Sequence, residues 1–305
     1  MSVYTLDIDS SERDPVIYPD PSDYVIELKN YIYNVTKISL ISARIHSSQL
    51  LINDRNNTFS ISGTTVVLDN YNYNGKTLAK ELVDKSSNIV SAVYDSNINS
   101  ITMTGDHPFT FDFYDGINGF TSNIYGYTTP HDILGLPASN IVSVGNTLTT
   151  GSINLQGPDA ILFKLSSGSE EFNKTVFSET PFYTGRILTC GDVVNYSGVD
   201  DAVVYSFDSG PLQSIKRLRV QFFYSSNNRL IPYDFRNANH IIKLSVECST
   251  DKLENIPRVK KDFSLPPPMR IPEMEIPNRW GAIIYIFLIV LTGLILVMFT
   301  KPRVP

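Results

Sequence analysis

Four histidines and two cysteines are the residues best suited to catalysis or metal binding, and their spacing supports neither. His46, His107, His131 and His240 are dispersed along the chain. His131 stands beside an acid, Asp132, and a lone pair of this kind reads as a turn or a helix cap. Cys190 and Cys248 are far apart and in no metal-ligand spacing, and nothing local activates either thiol. Both read as buried free thiols. The paired acids Glu170-Glu171 and Asp200-Asp201 sit in polar, loop-like stretches and read as solvated surface. There is no Gly-x-x-x-x-Gly-Lys loop, no Gly-x-Ser-x-Gly elbow and no His-Glu-x-x-His pair. A cupin-type metal site would need clustered His and Glu ligands, which scattered histidines do not supply. The expectation is a protein that is not an enzyme and holds no cofactor or metal.

The elements around these residues explain the lack of a constellation. From residue 1 to about 255 the pattern is short alternating or apolar runs, separated by Asn, Gly, Asp and Pro. Candidate strands are 24–28, 35–45, 64–68, 89–94, 100–104, 109–113, 160–165, 202–207, 218–224 and 241–248. Within 35–45, the residues Val35, Ile38, Leu40 and Ile41 are expected near one another. Helix is scarce. Thr77 to Lys85 places Leu78 and Leu82 at i,i+4, with a Thr available as N-cap, and a second short turn covers Thr129 to Leu134. Many short strands of this kind predict an all-β fold, a jelly-roll-like β-sandwich with one or two short helices.

With 305 residues, 42% hydrophobic and 11% aromatic, the chain is long and apolar enough to bury a real core. Its formal charge of -6 argues against broad binding to nucleic acid, which needs a dominant basic face. Lys216, Arg217 and Arg219 gather at one strand entrance, where edge protection is the ordinary reason for such charges. The first fourteen residues carry early acids and no apolar run, so no signal peptide is expected. Two lone cysteines suit a reducing compartment. The sequons at Asn34, Asn56, Asn173 and Asn195 are then expected to carry no sugar.

Gly281 to Thr300 reads GAIIYIFLIVLTGLILVMFT, about 20 uncharged residues, enough to cross a hydrocarbon core of ~30 Å. Arg279 and Trp280 precede it, and Lys301 and Arg303 follow, so these four are the expected membrane-interface residues. Upstream, residues 265–278 hold five prolines and no strand or helix period. This stretch is expected to be extended and to span about 40 Å. Arg258-Val-Lys-Lys261, before it, reads as solvated surface, or as a contact for anionic lipid or an acidic partner. The expected layout is a head at 1–255, a basic and proline-rich spacer at 256–279, a transmembrane helix at 280–300 and a short tail at 301–305. Late insertion of so C-terminal a helix is expected to leave the head on the cytosolic side.

Two ends of the β region carry a resemblance. Near the start stand Asp9-Ser-Ser-Glu-Arg-Asp14, Tyr18-Pro-Asp-Pro-Ser-Asp-Tyr-Val-Ile-Glu-Leu28 and Asn34-Val-Thr-Lys-Ile-Ser-Leu-Ile-Ser-Ala-Arg-Ile45. Near the end stand Ile215-Lys-Arg-Leu-Arg-Val-Gln-Phe222, Asn228-Arg-Leu-Ile-Pro-Tyr-Asp-Phe235 and Asn239-His-Ile-Ile-Lys-Leu-Ser-Val-Glu-Cys248. In this order they resemble the jelly-roll minor capsid proteins of nucleocytoplasmic large DNA viruses, over most of residues 5 to 250. The resemblance implies a structural protein of the virion beneath the capsid shell, with the major capsid protein, other minor capsid proteins and an internal lipid membrane as partners, and no nucleic acid. Joined to the anchor, it implies a tether between shell and membrane, with the head facing the capsid. The competing expectation is a viral attachment or entry protein with an outward-facing head, which would carry glycans on Asn34 or Asn173.

Overall fold

The computed structural model describes residues 1–121, 124–167, 170–171, 185–189, 191–199, 202–206, 213–250 and 279–300. Met1–Asp251 form one compact unit, and the C-terminal helix belongs to another. The head begins with β1 (Ser2–Asp9) and β2 (Asp23–His46), followed by β3 (Thr58–Ile61), β4 (Thr64–Val67), α1 (Gly75–Lys85), β5 (Ser91–Asp95), β6 (Ser100–Thr104), β7 (Thr110–Asp112), β8 (Asn140–Val142) and β9 (Thr147–Thr149). It continues with β10 (Ala160–Ser167), β11 (Glu170–Glu171), β12 (Arg186–Leu188), β13 (Val193–Ser197), β14 (Val203–Ser206), β15 (Gln213–Ser226), β16 (Arg229–Pro232) and β17 (Ile241–Cys248). The helix is α2 (Arg279–Phe299). The fold is all-β with one long apolar helix, as the sequence patterns predict.

The main sheet runs in the order β1-β17-β2-β15-β10-β11, and every pairing in it is antiparallel. Its central strand, β2, is 24 residues long and folds back on itself. The first arm pairs with β15, matching Tyr24 with Val220. The second pairs with β17, matching Arg44 with Ile241. In a straight strand residues 24 and 44 would stand roughly 65 Å apart. Instead the Tyr24 hydroxyl lies 3.0 Å from Nε2 of His240, the residue just before β17. The two arms therefore face each other across one core, which makes a single hydrogen-bonded sheet into a sandwich.

The corner lies at Asn34, whose φ of 56° is left-handed. Register shifts fall beside it on both partners, between Gln213 and Arg217 and between Glu247 and Cys248. Bulges of this sort bend a strand and raise its local twist. Asn adopts the left-handed region more readily than most residues, and a β-branched residue resists it. Replacing Asn34 by Val is therefore expected to lower stability by about 1–2 kcal/mol, with Asn34→Gly near neutral. Urea midpoints of the two variants, measured side by side, check this.

Two expectations about β2 need correction. The stretches 24–28 and 35–45 are one strand rather than two. Ile41 does not join Val35, Ile38 and Leu40: those three are buried, while Ile41 is 40% exposed. Alternation places Ile38 and Leu40 inward and Ile41 outward, and the shift near Cys248 brings Val35 inward as well.

The main core draws on both arms and on β10, β15 and β17, including Tyr24, Ile38, Phe163, Phe222 and Leu244. Residues between β2 and β10 build a second core. There β3, β4, β7 and β8 form one small sheet and β5, β6 and β9 another, with α1 beside them. Phe59, Phe111 and Phe113 pack ring on ring at 5.4 to 5.8 Å, and Leu78 and Leu82 of α1 are fully buried. The N-cap of α1 is Asn74 rather than Thr77. Asn74 Oδ1 accepts from the Thr77 amide at 3.0 Å, and Thr77 Oγ1 accepts from the Asn74 amide at 2.9 Å, closing a capping box. Asn wins the position because the helix starts three residues earlier than its apolar pattern does. Gly75 can start it there because the Tyr94 ring occupies the space a Cβ would need.

Candidate functional site

The helix α2 carries the plainest functional signal. Among its residues, Ile283 to Phe299 present an apolar surface all round, with large side chains 46% to 86% exposed. It is long and apolar enough to cross a membrane. The Thr292 hydroxyl, near mid-helix, donates back to the carbonyls of Leu288 and Ile289, both at 2.9 Å, so it brings no unsatisfied donor into an apolar medium. Trp280 opens the apolar run and is 73% exposed. The Arg279 side chain, Lys301 and Arg303 lie outside the described residues, as do the proline stretch and Arg258 to Lys261.

In the head, the residues with chemical potential are enclosed in packing. His131 sits in the turn expected near Thr129 to Leu134, and it is buried rather than a surface cap. Its Nδ1 contacts Thr129 Oγ1 at 3.1 Å, its Nε2 faces Asp132 at 3.3 Å, and Phe120 meets it edge-on at 4.9 Å. Burial lowers its pKa below the ordinary histidine value, against the pull of Asp132. His240 is caged by Tyr24, Phe222 and Phe235, with ring centroids 4.5 to 5.6 Å away. His46 is exposed and lines, with Asp9 and His240, a cavity of about 420 Å³, and His107 is exposed. Cys248 is a buried free thiol whose pKa burial pushes up, so it is a poor nucleophile. Cys190, Asp200 and Asp201 lie outside the described residues, as do the side chains of Glu170 and Glu171. Among the described residues, no three His, Cys, Asp or Glu groups converge on a metal position.

A cleft of about 390 Å³ lies where the second core meets the main sheet. Part of its polar lining is engaged within the protein, while the buried Tyr224 hydroxyl has no hydrogen-bond partner among the described residues. Asn56 Nδ2 donates to Leu51 O at 3.0 Å, Asn154 Nδ2 donates to Gly157 O at 3.1 Å, and Gln49 Oε1 accepts from the Asp234 amide at 3.0 Å. Asn56, one of the sequon residues, is only 5% exposed, which leaves no room for a glycan there.

The residue that joins the two cores was missed at the sequence level. Arg229, on β16, donates to the carbonyls of Asn118 at 2.9 Å and Gly119 at 2.6 Å, and its guanidinium lies 4.6 Å over the Phe120 ring. Nearby, the Thr128 and Ser226 hydroxyls bond at 2.7 Å across the same junction. Its donation to main-chain carbonyls leaves no pattern of side chains in the sequence that would mark it. Arg229→Ala is expected to cost about 2–3 kcal/mol, because hydrogen bonds from a charged donor and a stacked ring are lost together. It is also expected to speed proteolysis of 115–127 well before the main sheet is cut, which timed digestion with mass spectrometry checks.

Comparison with known proteins adds the following. Residues 1–155 match a family model described as a family of unknown function, DUF5901. Among solved structures, the chain is similar to the penton protein of mavirus, at 12% identity and a TM-score of 0.34, over 81% of this chain and 100% of that one. It is also similar to a chain in the structure of the Sputnik virophage, at 12% identity and a TM-score of 0.31, over 81% of this chain and 98% of that one. A search of curated proteins finds no match.

Proposed function

We propose that this chain, which belongs to the family of unknown function DUF5901, is a structural, non-enzymatic minor capsid protein that ties the inner face of an icosahedral shell to an internal lipid membrane. The observation that carries this reading is the pairing of an all-β head with one exposed apolar helix of membrane-crossing length. The order of residues at both ends of the head, which resembles jelly-roll minor capsid proteins, supports the capsid side of it.

In this reading the head is 1–255, the spacer 256–279, the transmembrane helix 280–300 and the tail 301–305. Trp280 and Arg279 occupy one headgroup layer, and Lys301 and Arg303 the other. The head lies on the capsid side, beneath the shell, against the major capsid protein and other minor capsid proteins. Many copies under one shell act together, so each head contact can be modest and the layers still hold. Detergent extraction of purified virions tests the proposal. The protein is expected to stay with shell fragments after lipid is removed and to leave only when capsid contacts are disrupted. Complete release with the lipid would overturn it.

A further inference from the structure

The corner of β2 is also the place where the chain leaves the head. Cys248, the last residue of β17, pairs with Val35, and the Ser249 amide donates to the Asn34 carbonyl at 2.9 Å. The second core departs from the opposite end of the same ladder, after His46. Eight paired residues of β17 separate the two ends, roughly 27 Å of strand.

The outer face at this corner is unusual for a β-sheet. Ile32 points into the core, so Tyr31 and Tyr33 point out, and they are 52% and 63% exposed. Their rings stack at 5.6 Å with an interplanar angle of 22°. Lys216 Nζ lies 5.5 Å over the Tyr31 ring and donates to the Lys29 carbonyl at 3.1 Å. Lys29 is itself exposed, two residues along the same face. On β1, Val3 pairs with Glu247 and is 60% exposed. The nearby acids are already matched, Glu247 with Lys37 at 2.9 Å and Glu27 with Arg217 at 3.8 Å. Lys29 and Lys216 form no ion pair among the described residues.

We propose that this corner, through Tyr31, Tyr33, Lys29 and Lys216, rests on an anionic lipid headgroup surface. Tyrosine presents an apolar ring and a polar tip, which suits the boundary between acyl chains and water. Lysine stems lie along apolar surface while their ammonium groups meet lipid phosphates and carboxylates. Stacked aromatics with lysines also suit single-stranded nucleic acid. The bilayer is favoured because the chain that exits here carries an apolar helix long enough to cross one. The inference thus rests on the membrane reading above, and it adds which end of the head meets the lipid.

Hydroxyl-radical footprinting of the full chain in lipid nanodiscs tests it. Discs of phosphatidylcholine alone are compared with discs holding about a third phosphatidylserine, an amount that gives a marked negative surface potential. Oxidation at Tyr31 and Tyr33 is expected to fall about threefold or more in the anionic discs. Tyr71 and Tyr125, 59% and 74% exposed elsewhere on the head, serve as controls and are expected to stay constant. The double variant K29E/K216E is expected to abolish the protection while the control tyrosines report an unchanged head. A chain that enters discs with Tyr31 and Tyr33 equally reactive in both lipids would overturn this inference and leave the membrane reading standing. A chain that enters no disc would overturn both. Protection that follows protein concentration, or an added single-stranded oligonucleotide, rather than anionic lipid would assign the corner to another partner and overturn it.

Discussion

Placing arginine at both Leu288 and Leu291 is expected to release the protein from membranes altogether. The two positions lie near the middle of α2 and one turn apart, so both charges would stand at the centre of the hydrocarbon layer. Each arginine there costs about 2.5–3.5 kcal/mol on insertion scales, and the pair about 5–7. At about 1.4 kcal/mol per factor of ten, that shifts the insertion equilibrium by roughly four orders of magnitude. Snorkelling cannot relieve the cost well, because both positions are about eight residues or more from either end of the apolar run. The conservative pair Leu288→Ile and Leu291→Val keeps the surface apolar and is expected to behave as the parent. Flotation with vesicles after alkaline carbonate washing separates the outcomes. An arginine pair that still floats would mean that α2 is not the anchor. The head is expected to keep its urea midpoint in every variant, since none of these residues belongs to either core.

What was legible in the sequence follows from how local each signal is. The apolar run of α2 is a contiguous string, and reading it needs no partner. The strand β17 alternates cleanly because one face is buried, and it is visible from period two, while β10 is visible as an apolar run in which Ile161, Leu162 and Phe163 are all buried. By contrast, β1 reads Ser-Val-Tyr-Thr-Leu-Asp-Ile-Asp and buries only Ile8 among its side chains, because it is the last strand on its edge of the sheet. An edge strand with little burial leaves no alternation to detect. The corner at Asn34 reads locally as a turn between two strands, and only the packing of Tyr24 on His240 reveals one folded strand. The second core is hidden for the same reason. Its strands have the same composition as the rest, and the contacts that separate the cores, such as Ile8 with Ile242, join residues far apart in sequence. At the site level, the long apolar helix was readable. The junction held by Arg229 and the Tyr31–Tyr33 corner were not, since each depends on which faces the fold leaves outward.

Acid is expected to loosen the head through His240, well above the pH at which its carboxylates titrate. Burial pushes the His240 pKa down to about 3, and the charge of Arg13 pushes the same way, while Asp9 opposes weakly. The reason is visible in the cage. A proton on Nδ1 would place a charge among Phe222, Phe235 and Tyr24, where that nitrogen has no hydrogen-bond partner among the described residues. In the unfolded chain the imidazole titrates at its ordinary value of 6.5. Between pH 6.5 and about 3 the unfolded state therefore binds the extra proton, and stability falls as pH falls. The full contribution is present above pH 6.5, and each unit below it removes about 1.4 kcal/mol, so roughly 2 kcal/mol is gone by pH 5. His131, whose pKa burial also lowers, adds a loss of the same sign. Urea midpoints of the full chain in detergent at pH 7.5, 6 and 5 measure the slope. His240→Gln keeps a polar partner for the Tyr24 hydroxyl but cannot take the proton, so its slope over this range is expected to be about half the parent's. A variant with the parent's slope would place the acid sensitivity elsewhere. Because His240 links Tyr24 on one arm of β2 to the start of β17 on the other, its protonation acts on the contact that closes the sandwich. The loosening is therefore expected first in amide exchange of β17 and of residues 23–27, with the second core protected until lower pH.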